Sequence, residues 1–211
     1  MKKMILIIII CVCVTSSCGS IPKSIRNAVA FCYTNTYTGI DTLINIEGYY
    51  SNMIFYDNGL VVRPIYRLGE QLLRKDFMLI EEVAKNPKSK TSKNFYNFVD
   101  CGNYIICGDT IKIQMLHNHH SMNDDWDGWG EWYKIVDKNT LCSIDCFLLT
   151  TNKKEQDRFR KYYNSSFQGN EKILFVPIST KPPLEYFWIL KEKWFWCNEQ
   201  EWENHMKYVE Y

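Results

Sequence analysis

Neither sign of charge predominates in this chain of 211 residues, where 25 lysines and arginines stand against 24 aspartates and glutamates. Domains that bind nucleic acid carry a clustered basic excess, so this balance gives no case for nucleic acid as a partner. There is no Cys-x-x-Cys pair, which removes the zinc-ribbon and thioredoxin signatures. A Gly-x-Ser-x-Gly elbow, a glycine-rich phosphate loop and a His-Glu-x-x-His helix are all missing, so no familiar catalytic frame is present. The apolar run Met4 to Val14 is too short for a bilayer span, which takes about twenty residues.

That short run is the first informative feature. Lys2 and Lys3 precede it, and small Thr15, Ser16 and Ser17 lead to Cys18, the layout of a secretory signal. Because the cut would fall before a cysteine followed by Gly19 and Ser20, residues 1 to 17 resemble a bacterial lipoprotein signal. The resemblance implies that Cys18 becomes a diacylated, N-acylated first residue. Its palmitate-type chains would hold the protein in the cell envelope at the outer membrane. Loss of the signal takes two of the 25 basic residues and none of the 24 acids. What is left suits a single domain with a real core. Six cysteines besides Cys18 then lie in a compartment where oxidation is possible. On one strand Cys142 and Cys146 would stand about 13 Å apart, too far to bridge, so any pairing is expected to be long-range.

Residues 18 to 41 show no clear period and read as a lipidated tether and entry segment. Residues 42 to 211 read as one domain. Met53 to Tyr56, Asp57-Asn58-Gly59 and Leu60 to Val62 form the best hairpin signal, with Asn-Gly suited to the positive φ angles of a type I′ turn. Tyr104 to Cys107, Gly108-Asp109 and Thr110 to Met115 repeat the design. There Ile111, Ile113 and Met115 share one face, opposite Thr110, Lys112 and Gln114. A third hairpin runs from Trp132 to Val136 through Asp137 to Asn139 into Thr140 to Ile144. Residues 69 to 86 read as helix, Asn86 to Lys93 as a solvated loop, residues 152 to 163 as a polar surface helix and Ile173 to Pro177 as a short strand. Asn198 caps a closing helix over 199 to 209, whose Trp202, His205, Met206 and Val209 make an apolar face docked on the sheet. Together these predict a mainly β fold, an antiparallel meander closing into a barrel, with a helical insert and a C-terminal helix.

With a lipoprotein signal in front, Gly48-Tyr49-Tyr50, Phe55 to Gly59 and Gly102 to Ile113 resemble the lipocalin-like lipoproteins of Bacteroides-type bacteria. The likeness spans roughly residues 44 to 146, about half the chain, and rests on turn chemistry. It implies a lipocalin-like barrel and leaves function open.

Chemistry concentrates between Met115 and Trp132. His117 and His119 with a carboxylate such as Asp125 could hold a divalent metal in a three-ligand arrangement with one position open, and His117, His119 and His120 would suit a metal-dependent hydrolase. A polar strand-joining loop with solvated imidazoles is the stronger expectation, and no cofactor is expected. Asp125-x-Asp127 does not continue as a calcium loop. Trp126, Trp129 and Trp132, interleaved with Asp127, Gly128 and Gly130, could instead stack on sugar rings while a carboxylate accepts hydroxyl hydrogens. Their three-residue spacing fits neither a strand nor a helix, so a specially folded loop is expected there. Asp127 with Glu131 could be proposed as a glycosidase-like couple, with little support. Cys107 and Cys142 read as small apolar strand residues. The expectation is therefore a lipid-anchored envelope binding protein, more a binder than an enzyme. Its ligand would be a small apolar molecule or a partner protein, or a glycan at the tryptophan segment.

Overall fold

The computed structural model describes residues 23–64, 79–117, 127–166 and 171–209. Eight strands make one antiparallel sheet: β1 Gly48–Tyr50, β2 Ile54–Phe55, β3 Leu60–Arg63, β4 Asp100–Cys107, β5 Thr110–His117, β6 Asp127–Asp137, β7 Thr140–Leu148 and β8 Lys172–Pro177, in the order β1-β8-β7-β6-β5-β4-β3-β2. Tyr50 and Met53 exchange backbone hydrogen bonds of 2.9 Å, a single bridge that brings the two ends of the sheet together. The result is the expected up-and-down meander, rolled into a nearly closed barrel with helices attached.

Strand alternation sorts the side chains. Val61, Tyr104, Ile111, Ile113, Met115, Tyr133 and Leu141 point inward, joined by Tyr50, Met53 and Phe55. The short helix α2, Ile40–Leu43, and the residue that follows it send Ile40 and Ile44 into the same interior. Ile40, Ile44, Met53, Val61, Ile111, Ile113, Met115 and Leu141 are all 0% exposed, so no water-sized space touches them. Each contributes about 1.5–3 kcal/mol by leaving water.

The outer wall over β2 to β5 carries a second core. Leu60, Val62, Cys101 and Leu116 face outward under Phe187, Trp188, Ile189, Leu190, Phe195 and Trp196. This covering chain follows Pro182-Pro183 and advances in three short 3-10 turns, Leu184–Tyr186, Trp188–Lys191 and Lys193–Phe195. Backbone and indole groups pair as it goes: Trp188 Nε1 donates to the Val99 carbonyl (2.8 Å) and Trp196 Nε1 to the Leu190 carbonyl (3.0 Å). Helix α1, Lys23–Ala28, and residues 30–38 complete the layer. Tyr33 stacks on Phe195 at 5.3 Å and meets Trp196 edge-on at 4.8 Å. Cys32 is bridged to Cys197, 165 residues away, so the pairing is long-range as expected, while Cys142 and Cys146 both lie on β7. The described part of the expected tether, from Lys23 onward, is thus built into the domain.

Several local expectations change. Gly59 has φ 91° but Asn58 does not have a positive φ, so the β2–β3 turn is not type I′. Tyr56 N donates to Leu60 O and Gly59 N to Tyr56 O, a type I turn ending on a left-handed glycine. Asn58 is used differently: its Nδ2 donates to Tyr33 Oη and Asn35 Oδ1, both at 2.8 Å, tying the turn to the covering layer. Of the helix expected over 69–86, residues 79–85 are helical (α3) and 69–78 lie outside the described residues; of the loop expected over 86–93, residues 86–89 are a turn and the rest begins a helix, α4, Lys90–Phe98, capped by Ser89, whose side chain accepts from Ser92 N. Its polar sequence conceals Phe95 and Tyr96, buried in the outer core. Helix α5, Lys153–Ser166, and helix α6, Glu199–Tyr208 with Asn198 as cap, match expectation. However, α6 docks on the covering chain, through Trp202 Nε1 to Lys191 O and His205 against Trp196.

Candidate functional site

One end of the barrel interior is polar. Alternation on β3 places Arg63 inward after Val61, and register sets it beside Asp100 of β4. Strand β5 ends on His117, opposite Asp127 of β6, and on β6 the inward residues are Trp129, Glu131 and Tyr133.

Glu131 is the hub. Its Oε1 accepts from Arg63 Nη1 (2.9 Å) and Trp129 Nε1 (2.9 Å), and its Oε2 from Arg63 Nη2 (2.5 Å) and Tyr133 Oη (2.7 Å). The side chains of Arg63 and Glu131 are 16% and 9% exposed, so the pair is largely out of water. Burial alone would raise the Glu131 carboxyl, but the Arg63 charge and the four donors outweigh it and hold it below the usual carboxylate range. Burial would lower the guanidinium, and Glu131 reverses that to raise it. Burial, then Glu131, pushes the Tyr133 phenol up, so it stays a donor. The guanidinium also lies over the Trp129 ring, 5.7 Å from its centre. Among the described residues Arg63 Nε is buried without a hydrogen-bond partner, which costs free energy unless an acceptor arrives. Next to this group His117 Nδ1 pairs with Asp100 Oδ1.

The sequence candidates fall into three groups. His119, His120, Asp125 and Trp126 lie outside the described residues, as does Cys18. Trp129 and Trp132 are not on a loop: both belong to β6, and their odd separation puts them on opposite faces. Trp129 faces the interior, whereas Trp132 stands on the outer wall between Phe147 (5.9 Å) and the Lys112 ammonium (4.5 Å). They therefore cannot form one stacking platform. The room that Gly130 leaves is filled by the Phe147 ring, whose atoms come within 2.2 Å of where a Cβ would sit. Asp127 starts β6, and Glu131, its suggested catalytic partner, is committed to Arg63. Among the described residues no three His, Cys, Asp or Glu side chains gather as a metal site, and no helix is long and apolar enough to cross a membrane.

Arg63, Asp100 and Tyr133 were not singled out from the sequence. The usable signal was the period of two: Val61 to Arg63 and Glu131 to Tyr133 carry polar groups on a face that is otherwise apolar. A separate cleft of about 240 Å³ lies on the outer wall beside Gly59, lined by Tyr33, Thr38, Tyr104 and Ile105 among others. Set against known proteins, the chain matches no family model, no curated protein and no solved structure.

Proposed function

We propose that this is a lipid-anchored binding protein of the bacterial cell envelope that takes a small polar ligand, rich in oxygen acceptors, at the Arg63–Glu131 end of its barrel. The supporting observation is the buried Arg63 Nε, a donor with no partner among the described residues. Hydroxyl or carboxylate oxygens of a glycan have the chemistry to accept from it, beside the Trp129 ring. An apolar ligand of lipocalin type is less well supported, because the described interior beneath the cluster is filled by side chains. The Cys32–Cys197 bridge suits an oxidising compartment outside the cytoplasm and so supports the exported, Cys18-anchored reading.

Calorimetric titration with neutral and uronic oligosaccharides tests the ligand. Trp129→Phe keeps an aromatic core residue but loses the Nε1 donor and part of the ring face, and should weaken binding by about 1–3 kcal/mol. Equal affinity of the variant, or no saccharide bound at millimolar concentration, rejects the glycan reading. Mass spectrometry of the processed N-terminus tests the anchor: an unmodified first residue beyond Cys18 rejects it.

The partner-protein reading has its own observation. Ile105, Val136, Ile144, Leu174 and Val176 are 37–62% exposed on strands of the barrel, apolar side chains that a partner could cover.

A further inference from the structure

Among the described residues the two ends of the barrel carry opposite charge. At the Arg63 end, α1 packs Ile25 against Gly128 and Leu149, where β6 begins and β7 has just ended. It presents Lys23 and Arg26 to solvent with no acid in its first turn. Helix α5 starts four residues after Leu149. Gln156 and Phe159 are half-buried on its packed side, and Lys153, Lys154, Arg158, Arg160 and Lys161 are all exposed, against Glu155 and Asp157. Glu155 is partly occupied, accepting from Thr150 Oγ1 and Asn152 Nδ2. Lys154, Arg158 and Lys161, at i, i+4 and i+7, form one basic stripe. The opposite end is acidic. Its three hairpin turns carry exposed Asp57, Asp109 and Asp137, and α2 adds exposed Asp41. Lys134 and Lys138 are the basic residues of the β6–β7 hairpin there, and Lys134 already faces Asp109 at 3.7 Å.

We propose that the α1–α5 end of the barrel lies against an anionic lipid surface. The proposal deepens the anchored reading above and rests on it for the approach to the membrane. Cys18 is five residues before Lys23, a reach of about 17 Å when extended, so an acylated Cys18 keeps this end, and not the aspartate end, at the bilayer. Each Lys or Arg near an anionic surface adds about 1 kcal/mol of attraction, while the four aspartates are repelled. The near-zero net charge of the whole chain hides this polarity. Held this way, the end of the barrel that carries Arg63 and Glu131 faces the membrane surface.

The test is amine-reactive footprinting of the processed protein on vesicles of phosphatidylethanolamine and phosphatidylglycerol, with phosphatidylcholine vesicles as comparison. The mass of the N-terminal fragment is read from the same sample. Lys23, Lys153, Lys154 and Lys161 should label about fivefold more slowly on the anionic vesicles, and Lys134 and Lys138 at unchanged rates. The triple variant Lys154→Glu, Arg158→Glu, Lys161→Glu, on exposed positions of α5, should lose the protection at Lys153. If a lipidated N-terminus is found but both lysine sets label alike, or Lys134 and Lys138 are the protected ones, the orientation is wrong and the anchor stands. If no lipid is found, the anchored reading falls; protection of the first set on anionic vesicles then still supports the surface, and its absence overturns it. Equal protection on phosphatidylcholine overturns the role of charge.

Discussion

The two cores of this molecule are built on opposite faces of the same strands. The inner core is assembled by the sheet itself: neighbouring hairpins bring Ile111, Ile113, Tyr133 and Leu141 together over short stretches of chain. The outer core is aromatic and long-range, with Tyr33, Phe95, Tyr96, Phe187 and Phe195 drawn from three segments and pinned by Cys32–Cys197. Regular pairing satisfies the inner layer's backbone. The outer layer has to satisfy its own through 3-10 turns and indole donors. The difference suggests where each layer is vulnerable: the inner at its buried Arg63–Glu131 pair, the outer at its cross-link and its half-buried His205.

The largest effect expected in the inner layer follows from that pair. Arg63→Met leaves Glu131 buried without its counter-charge and should cost about 3–5 kcal/mol. The double variant Arg63→Met, Glu131→Gln, which removes the buried charge but keeps an acceptor for Tyr133 and Trp129, should cost markedly less. Urea denaturation of both variants decides the matter, and equal losses would mean that the pair is not what holds this end. For the outer layer, Cys197→Ser should cost about 2–5 kcal/mol. Hydrogen exchange should rise in residues 30–38 and 184–209 while β4 to β7 stay protected. A uniform rise across the sheet would show that the two layers do not unfold separately.

Gly59→Val probes the junction, since Leu60 and Val61 of the same hairpin serve the outer and inner layers respectively. A β-branched residue at φ 91° should cost about 1–2 kcal/mol, read as a lower melting temperature. The smallest effect is a pH dependence that separates the layers. Burial lowers the pKa of His205, partly offset by Glu185, and its Nε2 has no partner among the described residues. A depressed histidine gives stability that is present above its unfolded pKa of about 6.5 and declines as pH falls below it. Glu131, also depressed, gives stability present above about 4.3 and lost only as pH falls further. Near-ultraviolet circular dichroism between pH 7 and 5 should therefore report loosening around Trp196 and Trp202, a change that His205→Gln should remove; a His205→Gln profile identical to the parent would exclude this imidazole as its origin.

Much of the inner layer was legible because its physics is local. Two-residue alternation and glycine or asparagine at the turns placed three hairpins, and the Asn198 cap placed α6, from the chain alone. The misreadings share a cause: composition was used where partners decide. Lys90 to Lys93 look like loop until Phe95 and Tyr96 find Phe187. Trp129 and Trp132 look like one platform until strand pairing assigns them to opposite faces. Gln114 looks solvent-facing, yet it is 2% exposed because its side chain binds the backbone of Ala30 and Phe31.

By itself, then, the sequence determined the strand periods, the turns that reverse them and the helix caps, because each depends on residues within a few positions of one another. Only the tertiary structure decided that Arg63 meets Glu131 across 68 positions, that Cys32 finds Cys197, and that α1, with Lys23 and Arg26, comes to the end where α5 begins while Asp41, Asp57, Asp109 and Asp137 gather at the other. Charges and thiols so far apart carry no local signal of their partners; rolling the meander into a barrel is what brings them into register.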